Sequence, residues 1–306
     1  MRKTAIVVLI LTGTVFCKSD IAASTSALIS HVDFMTSTSE FRNHAHPGTL
    51  DAVANYIDSV FSMYTNRVNR QVFKVGDDTY QNVIASFGPI RGERVIIGAH
   101  YDVCFDQPGA DDNASGVAAL LEIAAMLSKE SSTLSKRIDL VAFTLEEPPN
   151  FRTPNMGSAV HAQSLMDQGV EIKVMICLEM LGYYDEAPGS QQYPLSILKW
   201  LFPDEGNFIA VISNFGSNRF ARKMKRGINK TSGVRAIKLA APSTLVGVDF
   251  SDHLNYWGHG YKAVLITDTA FYRNNNYHLA SDIPATLNFV KMTEVVNGIY
   301  NASISL

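Results

Sequence analysis

One continuous segment, residues 95–122, constrains the fold of this chain more than any other part of the sequence. It reads VIIGAHYDVCFDQPGADDNASGVAALLE, so an apolar run rich in branched residues is followed by a polar loop and then by a stretch rich in alanine and leucine. Short apolar runs of this kind fill parallel sheets that are covered on both faces. The segment therefore predicts a buried strand, a polar loop and a helix that begins near Gly116.

The loop of this segment carries side chains that can bind a metal ion. His100 and Asp102 follow the predicted strand, and Asp111 and Asp112 precede the helix. In open α/β sheets, ligands and catalytic groups collect at the carboxyl ends of the strands. Several fixed carboxylates beside an imidazole repel one another unless a cation lies between them. A helix cap or a structural histidine explains each residue alone, so the metal hypothesis depends on recurrence of the pattern.

The pattern recurs in three later parts of the chain. The apolar runs and the residues that follow them are 138–145 with Glu146 and Glu147, 174–178 with Glu179, and 264–267 with His278. Adjacent residues of an extended chain point to opposite sides, so Glu146 and Glu147 can have different roles. One can bind a metal while the other faces water or substrate.

The hydrophobic periodicity of the whole chain predicts an α/β fold of three layers, with a twisted, mostly parallel mixed sheet flanked by helices. Runs 80–87 and 94–100 are predicted to be neighbouring strands joined by a turn at 89–92. Segment 189–203 is predicted to be a loop at the rim of the site. The other predicted elements are helices at 27–36, 47–64, 116–127, 156–166, 217–228 and 284–299, and a strand at 208–213.

The first 23 residues have the layout of a secretory signal peptide. A basic start is followed by an apolar run at 5–16, which is shorter than the about 20 residues that span a membrane. We expect cleavage after Ala22 or Ala23, export to the periplasm or the medium, no stable membrane insertion, and a single domain at 24–306. Lipid attachment at Cys17 is the less favoured alternative, because residues 14–16 are not the small residues that normally precede a lipidated cysteine.

Composition describes an ordinary folded protein and gives no indication of nucleic-acid binding. The chain is 46% hydrophobic and 18% charged, with a net charge of −3 and no basic run. Beyond the predicted signal peptide it contains only Cys104 and Cys177. Two buried free thiols are favoured over a disulfide, although an exported protein permits one.

The candidate donors together form a mixed nitrogen and oxygen set that suits zinc. They are His100, Asp112, Glu147, Glu179 and His278. Two ions that share a bridging carboxylate would use the whole set, whereas one ion would leave acidic groups unexplained. Such a pair can activate a bridging water and polarise a carbonyl, while Glu146 takes the proton of the water and passes it to a leaving amine. The sequence therefore predicts two Zn²⁺ ions per chain.

Several segments resemble a known family. They are GAHYD, GADDNASGVAALLE, the Glu146–Glu147 pair followed by MGSAVHA, LEMLGY, SDH and YHLASDIPATL. These segments closely resemble the co-catalytic dizinc aminopeptidases, family twenty-eight of the metallopeptidases, which contains bacterial leucyl aminopeptidase-like zinc exopeptidases. The resemblance covers about residues 41–299, and GADDNASG together with the double glutamate is highly specific. It implies a zinc exopeptidase domain that acts on peptides, in the first place an aminopeptidase.

The resemblance also implies a role for each candidate residue. It makes His100 and Glu179 ligands of one zinc, Glu147 and His278 ligands of the other, Asp112 the bridge and Glu146 the general base. Asp102 would accept a hydrogen bond from the ring of His100 and set its tautomer. Asp111 is interpreted as structural. Asp252 and His253 fall beside the site in the family, and His253 is the second choice as a ligand after His278.

One departure from the family pattern concerns the direction of cleavage. Glu179 stands where the family's aminopeptidases typically carry aspartate, and glutamate at this position is common in related carboxypeptidases. Carboxypeptidase or dipeptidase action is therefore the first alternative. Arg273 could bind a terminal carboxylate of the substrate, because a guanidinium matches that geometry, but a structural salt bridge is the favoured interpretation.

Two alternatives come from other functional classes. A glutaminyl cyclase-like acyltransferase has a related fold with one zinc, and a non-catalytic binding protein would have lost metal ligands. The bridging motif argues against the first alternative. The presence of every expected ligand argues against the second.

Overall fold

The computed structural model describes residues 21–306. The predicted apolar run at 5–16 and Cys17 lie outside the described residues, so the signal peptide stays a prediction. Within the described part of the chain, no helix is both long and apolar enough to cross a membrane. The helices and strands, in chain order, are α1 (Thr25–Thr36), α2 (Pro47–Tyr64), β1 (Val68–Val75), β2 (Asp78–Phe87), β3 (Arg94–His100), α3 (Gly116–Ser128), β4 (Arg137–Phe143), α4 (Gly157–Asp167), β5 (Ile172–Glu179), β6 (Phe208–Ser213), α5 (Asn218–Thr231), β7 (Arg235–Ala240), α6 (His253–Gly258), β8 (Ala263–Thr267) and α7 (Phe289–Ile304).

All eight of these strands form one mixed sheet in the order β1-β2-β4-β3-β5-β8-β6-β7. The four central strands, β4, β3, β5 and β8, run parallel to one another. The outer strands are mixed, because β1, β2 and β6 each pair antiparallel with a neighbour. The carboxyl ends of the four parallel strands consequently meet at one edge of the sheet. The predicted α/β fold class is confirmed.

Helices cover both faces of the sheet, as the apolar runs predict. Along β3, Val95 and Ile97 belong to the larger core with α1, α2, α3, α5 and α7, whereas Ile96 belongs to the smaller core with α4 and α6. This alternation follows from the two-residue period of a strand. The central helix α3 is buried on almost every side, which explains why the stretch after Gly116 is apolar at nearly all positions.

The sequence-based prediction was wrong about one strand pairing and missed two strands. β2 and β3 are not neighbours, because β4 lies between them. The missed strands are β1 and β7, in which polar residues interrupt the apolar pattern of VNRQVFKV and RAIKLA. The last helix starts at Phe289 rather than at residue 284, and a short 3₁₀ turn, Pro284–Thr286, precedes it.

A buried arginine joins the amino-terminal part of the chain to the loop that follows β3. The guanidinium of Arg42 donates from Nη1 to the carbonyl of Met35 at 3.0 Å and from Nε to the carbonyl of Tyr101 at 2.9 Å. It also donates to the carbonyls of Pro108 and Gly109. Four hydrogen bonds from one side chain therefore fix the conformation of backbone that no strand supports.

The contact between α4 and α6 includes a buried histidine that is kept neutral. His161 is 4% exposed, its Nδ1 lies 2.6 Å from the Tyr256 hydroxyl, and its ring packs edge-on against Phe143. Burial lowers the pKa of His161 to about 4. In the unfolded chain the imidazole takes up a proton near its ordinary pKa of about 6.5. Between these two values the unfolded state binds more protons, so stability falls as the pH falls.

We therefore expect His161→Gln to reduce the loss of stability between pH 6.5 and pH 4 by about 3 kcal/mol, since 1.4 kcal/mol corresponds to one pKa unit. Urea unfolding at several pH values measures the loss of stability of the variant and of the wild type. Subtracting one loss from the other cancels the contributions of the other buried groups, which the two proteins share. The control is His259→Gln, at a partly exposed position. Equal pH dependence of the wild type and His161→Gln would contradict the prediction.

Candidate metal centre

Each predicted metal donor lies at the carboxyl edge of the parallel strands. The donors and their positions are His100 at the end of β3, Asp112 in the helical turn before α3, Glu147 after β4, Glu179 at the end of β5 and His278 in the segment after β8. Four of the five are at most 7% exposed, and the side chain of His278 is 25% exposed. Because parallel strands end on the same side, residues far apart in sequence converge at this edge.

Two histidine rings face the two oxygens of one carboxylate. Nε2 of His100 lies 3.5 Å from Oδ1 of Asp112 and 3.3 Å from Oε2 of Glu179. Nε2 of His278 lies 3.1 Å from Oδ2 of Asp112 and 3.4 Å from Oε1 of Glu147. The donors therefore form two sets, His100–Asp112–Glu179 and His278–Asp112–Glu147, which share Asp112.

These donor sets fit divalent metal ions. A tetrahedral zinc ion with ligands at about 2.0 Å has neighbouring ligand atoms roughly 3.3 Å apart, which is close to the separations in both sets. One atom each of His100, Asp112 and Glu147 also lies within 4.8 Å of the others. Among residues 21–306, the carboxylates of the two sets have ion pairs with histidines and with no lysine or arginine. The excess buried negative charge is therefore suited to cations.

Two further aspartates hold the loops that carry the donors. Asp102 accepts hydrogen bonds from the backbone N–H groups of Glu146 at 3.1 Å and Glu147 at 3.0 Å. Nδ1 of His100 lies 3.2 Å from the backbone carbonyl oxygen of Asp102 and 3.5 Å from its Oδ1, which leaves Nε2 of that ring directed at the donor set. Asp282 accepts in the same way from the backbone N–H groups at 111 and 112, at 2.9 and 3.0 Å.

Asparagine and aspartate side chains also fix the turn after β5. Asn113 donates to the carbonyl of Leu178 at 2.9 Å and accepts from the backbone N–H of Met180 at 3.0 Å. Asp111 accepts from the backbone N–H of Gly182 at 2.9 Å. These hydrogen bonds fix the backbone on both sides of Glu179. They agree with the interpretation of Asp111 as a structural residue.

Mutual repulsion and burial set the proton affinities of the site. Burial, together with the nearby charges of Glu147 and Glu179, raises the pKa of Glu146 well above its ordinary value. Burial alone would lower the pKa of His100, but Glu179 and Glu146 raise it well above the ordinary value. Burial opposes ionisation of Asp112, yet the two histidines hold its pKa below the ordinary value. Asp112 is thus the carboxylate most favoured to stay ionised between the rings.

Asp252 and His253, from the SDH segment, have different surroundings. Asp252 is fully buried, and burial raises its pKa to about 7. His253 instead directs Nε2 to the carbonyl of Val248 at 2.8 Å and packs edge-on against Trp257. His253 is not brought into either donor set.

Arg273 is buried behind the site rather than exposed in it. Its Nε donates to Oε1 of Gln191 at 2.9 Å, Nη1 donates to the carbonyl of Tyr183 at 3.2 Å, and the guanidinium lies 4.6 Å from the centre of the Phe208 ring. No carboxylate of the described residues lies within ion-pair distance of it. The contacts that hold Arg273 are thus hydrogen bonds and aromatic packing.

An apolar cavity of about 250 Å³ opens from the donors. His100, Asp112, Glu146, Glu147, Glu179 and His278 line its polar end. Its apolar wall includes Phe208, Ile212, Ile237 and Leu265, from β6, β7 and β8. Residues of the 189–203 segment line it as well, among them Tyr193 and Phe202, so the prediction that this segment borders the site is confirmed.

Sequence reasoning missed several residues around the donors. Ser251 donates to Oε2 of Glu179 at 2.5 Å, and the ring of Tyr277 stacks on His278 with centroids 3.8 Å apart. Cys104 and Cys177 are buried and free, as predicted, but Cys104 lies against Glu147 and His278. Asp282 could have been suspected from its place in YHLASD, four residues after His278. Contacts made between separate loops leave no pattern in the sequence.

Donors of this kind, at the carboxyl edge of a parallel sheet and beside an apolar cavity, define a metal-dependent hydrolase. Comparison with known proteins gives the family. The chain belongs to peptidase family M28, whose model matches residues 82–302. The protein is therefore a hydrolase of the metallopeptidase class, as the sequence predicts, and this family is typically zinc-dependent.

Relatives and solved structures agree with this assignment. The uncharacterized protein YfbL of Escherichia coli is 44% identical over 285 residues, which cover 90% of this chain and 87% of that protein. Leucine aminopeptidase 1 of Leptosphaeria maculans is 25% identical over 70% of this chain, and the match spans about half of the fungal protein, 52%.

Among solved structures, the LapA aminopeptidase of Legionella pneumophila matches with a TM-score of 0.74 and 20% identity, over 92% of this chain and 72% of that one. The glutaminyl cyclase of Porphyromonas gingivalis matches with a TM-score of 0.70 and 18% identity, over 93% and 99%. Both structures share the fold of this chain.

We expect Asp282→Ala to lower the free energy of unfolding of the metal-free protein by about 2–4 kcal/mol, because it leaves two buried backbone N–H groups without an acceptor. Urea unfolding measures the change. Asp282→Asn is the matched control, since it keeps one acceptor oxygen and should have a smaller effect. An unchanged stability of the alanine variant would show that Asp282 does not hold the 111–112 backbone.

Proposed function

We propose that the protein is a zinc-dependent aminopeptidase that releases N-terminal residues from peptides. The observation that carries the proposal is the pair of donor sets that share Asp112, with Glu146 beside them at the polar end of an apolar cavity. Two zinc ions would be held by His100, Asp112 and Glu179, and by His278, Asp112 and Glu147. When bound, such ions polarise a carbonyl and acidify a water.

Glu146 is the group in this chain that can move a proton during hydrolysis. It lines the cavity, is 5% exposed, and its Oε2 lies 3.9 Å from Nε2 of His100. A raised pKa suits a carboxylate that first accepts a proton from the attacking water and then gives it to the leaving amine. Asp102 acts as a positioning residue, because its hydrogen bond to the Glu146 backbone sets where that carboxylate lies.

The lining of the cavity weighs against recognition of a C-terminal carboxylate by a cationic side chain. Among the described residues that line the cavity there are four carboxylates and no lysine or arginine. No side chain of this lining therefore offers the fixed positive charge that would bind the C-terminal carboxylate of a peptide. Arg273 is held by Gln191 and the Tyr183 carbonyl and is not part of the lining, which weighs against the carboxypeptidase alternative.

The apolar end of the cavity supports a preference for apolar N-terminal residues. The wall formed by β6, β7 and β8 is aliphatic and aromatic. A substrate side chain that enters the cavity beside this wall loses its contact with water. An aliphatic or aromatic residue gains from this burial, while a charged residue would be desolvated without a partner.

We also propose export through the segment 1–23. The support is the sequence pattern of that segment and the docking of the residues at its end, Ala23 and Ser24. Backbone N–H groups of Ala23 and Ser24 donate to Asn297 and Glu122. Cleavage after Ala22 would leave both contacts in the mature protein, and cleavage after Ala23 would leave that of Ser24. N-terminal sequencing of the protein from the periplasm or the medium tests the cleavage position.

We expect Glu146→Gln to lower kcat by about 10²–10⁴-fold while the content of bound zinc stays unchanged, since the amide cannot accept the proton but fills the same space. Steady-state kinetics and metal analysis of the same preparation check both parts. Wild-type turnover by the variant would remove Glu146 from the role of general base. A loss of zinc would mean that Glu146 also binds metal.

The direction of cleavage is tested with one peptide in free, N-acetylated and C-amidated forms, incubated with zinc-loaded protein and followed by mass spectrometry. We expect residues to be lost from the free N-terminus, acetylation to stop the reaction and amidation to leave it unaffected. Loss from the other end, stopped by amidation, would establish a carboxypeptidase.

The likeness to a solved glutaminyl cyclase makes that reaction the second candidate. A peptide that begins with glutamine distinguishes the two activities, because cyclisation releases ammonia and leaves the peptide bonds intact. The presence of two donor sets in this chain favours hydrolysis. One bound zinc per chain together with cyclisation would overturn the aminopeptidase proposal.

A further inference from the structure

A cysteine lies against one of the two donor sets. Cys104 follows β3 by four residues, is 1% exposed and carries a free thiol. Its Sγ, one carboxylate oxygen of Glu147 and one ring nitrogen of His278 all lie within 4.8 Å of one another. These three atoms are close enough to contact a single ion placed between them.

The surroundings of His278 provide a second, independent observation. Its Nε2 is buried and faces two carboxylates at once, with Oδ2 of Asp112 3.1 Å away and Oε1 of Glu147 3.4 Å away. Stacking on Tyr277 holds the ring in this orientation. A buried ring nitrogen that faces two carboxylates is the arrangement expected where a cation belongs.

The other cysteine is different. Cys177 lies on β5 in the smaller core, and its Sγ is 3.2 Å from the hydroxyl of Ser251. It belongs to none of the donor groups found among residues 21–306. Both cysteines are therefore buried and free, but only Cys104 has its sulfur beside donors of the metal centre, and Cys177 serves as a matched control.

We propose that Cys104 is a ligand of the second metal position, together with His278, Glu147 and the shared Asp112. The inference rests on the metal centre of the proposed function but not on its peptide specificity. On binding, the S–H bond breaks, the proton leaves to solvent, and the sulfur lone pair forms a bond with the metal ion. The two positions then differ: one has nitrogen and oxygen donors, and the other adds sulfur.

The added sulfur predicts which ions each position prefers. Thiolate ligands favour borderline and soft ions such as Zn²⁺, Co²⁺ and Cd²⁺ over Mg²⁺ and Mn²⁺, which prefer oxygen. The second position should therefore bind Mn²⁺ much more weakly than Zn²⁺, and the first position should show a smaller difference between these two ions.

The test is the absorption spectrum of the full-length protein after metal removal and titration with Co²⁺, because a thiolate bound to cobalt gives an intense near-ultraviolet charge-transfer band. We expect the band in the wild type and in Cys177→Ser and its loss in Cys104→Ser. Cys104→Ser should also bind the second equivalent of Zn²⁺ at least about tenfold more weakly. Absence of the band from the wild type, or its retention in Cys104→Ser, would overturn the proposal.

A second measurement uses only the wild type, so its result does not depend on whether a variant folds. Alkylation of the thiols followed by mass spectrometry should show that Zn²⁺ protects Cys104 and leaves the labelling of Cys177 unchanged. Equal labelling of Cys104 with and without Zn²⁺ would argue against the ligand. The peptide assays separate the two proposals: normal N-terminal cleavage without a cobalt–thiolate band would overturn only the role of Cys104.

Discussion

The site depends on one repeated interaction, in which a buried aspartate binds two consecutive backbone N–H groups of a loop. Asp102 holds residues 146 and 147, and Asp282 holds residues 111 and 112. Loops at the end of a sheet have no ladder of hydrogen bonds to fix them, so their backbone groups need other partners. Charged acceptors make stronger bonds than neutral ones, and each aspartate uses both of its oxygens. The positions of all four supported acidic residues follow from these two side chains.

The same arrangement accumulates negative charge in a buried place. The carboxylates at 102, 112, 146, 147, 179, 252 and 282 are all nearly inaccessible, and the nearby positive charge is that of two imidazoles and Arg42. Such a cluster is held together by the sheet and helices that surround it rather than by its own interactions. Binding of divalent cations would relieve the repulsion, which would link folding stability to metal affinity.

The sequence predicted the centre of the fold better than its margins. The central strands β3, β4, β5 and β8 are continuous apolar runs, because both of their faces are covered, and this pattern is visible locally. β1 and β7 alternate with polar residues, and the insertion of β4 between β2 and β3 is a matter of pairing that no local pattern records. In the site, residues at strand ends were predicted, whereas Cys104, Ser251 and Asp282 meet the donors only through the path of separate loops.

The position of Arg42 has a consequence for where this enzyme can be divided. The part of the chain that matches the family begins at residue 82, yet the guanidinium that binds the carbonyls of Tyr101 and Gly109 comes from a residue forty positions earlier (82 − 42 = 40). A protein trimmed to the family boundaries would keep every donor and lose the side chain that holds the loop between His100 and Asp112. The amino-terminal helices are thus part of the catalytic scaffold, and an evolutionary exchange of that region has to preserve this arginine or replace its hydrogen bonds.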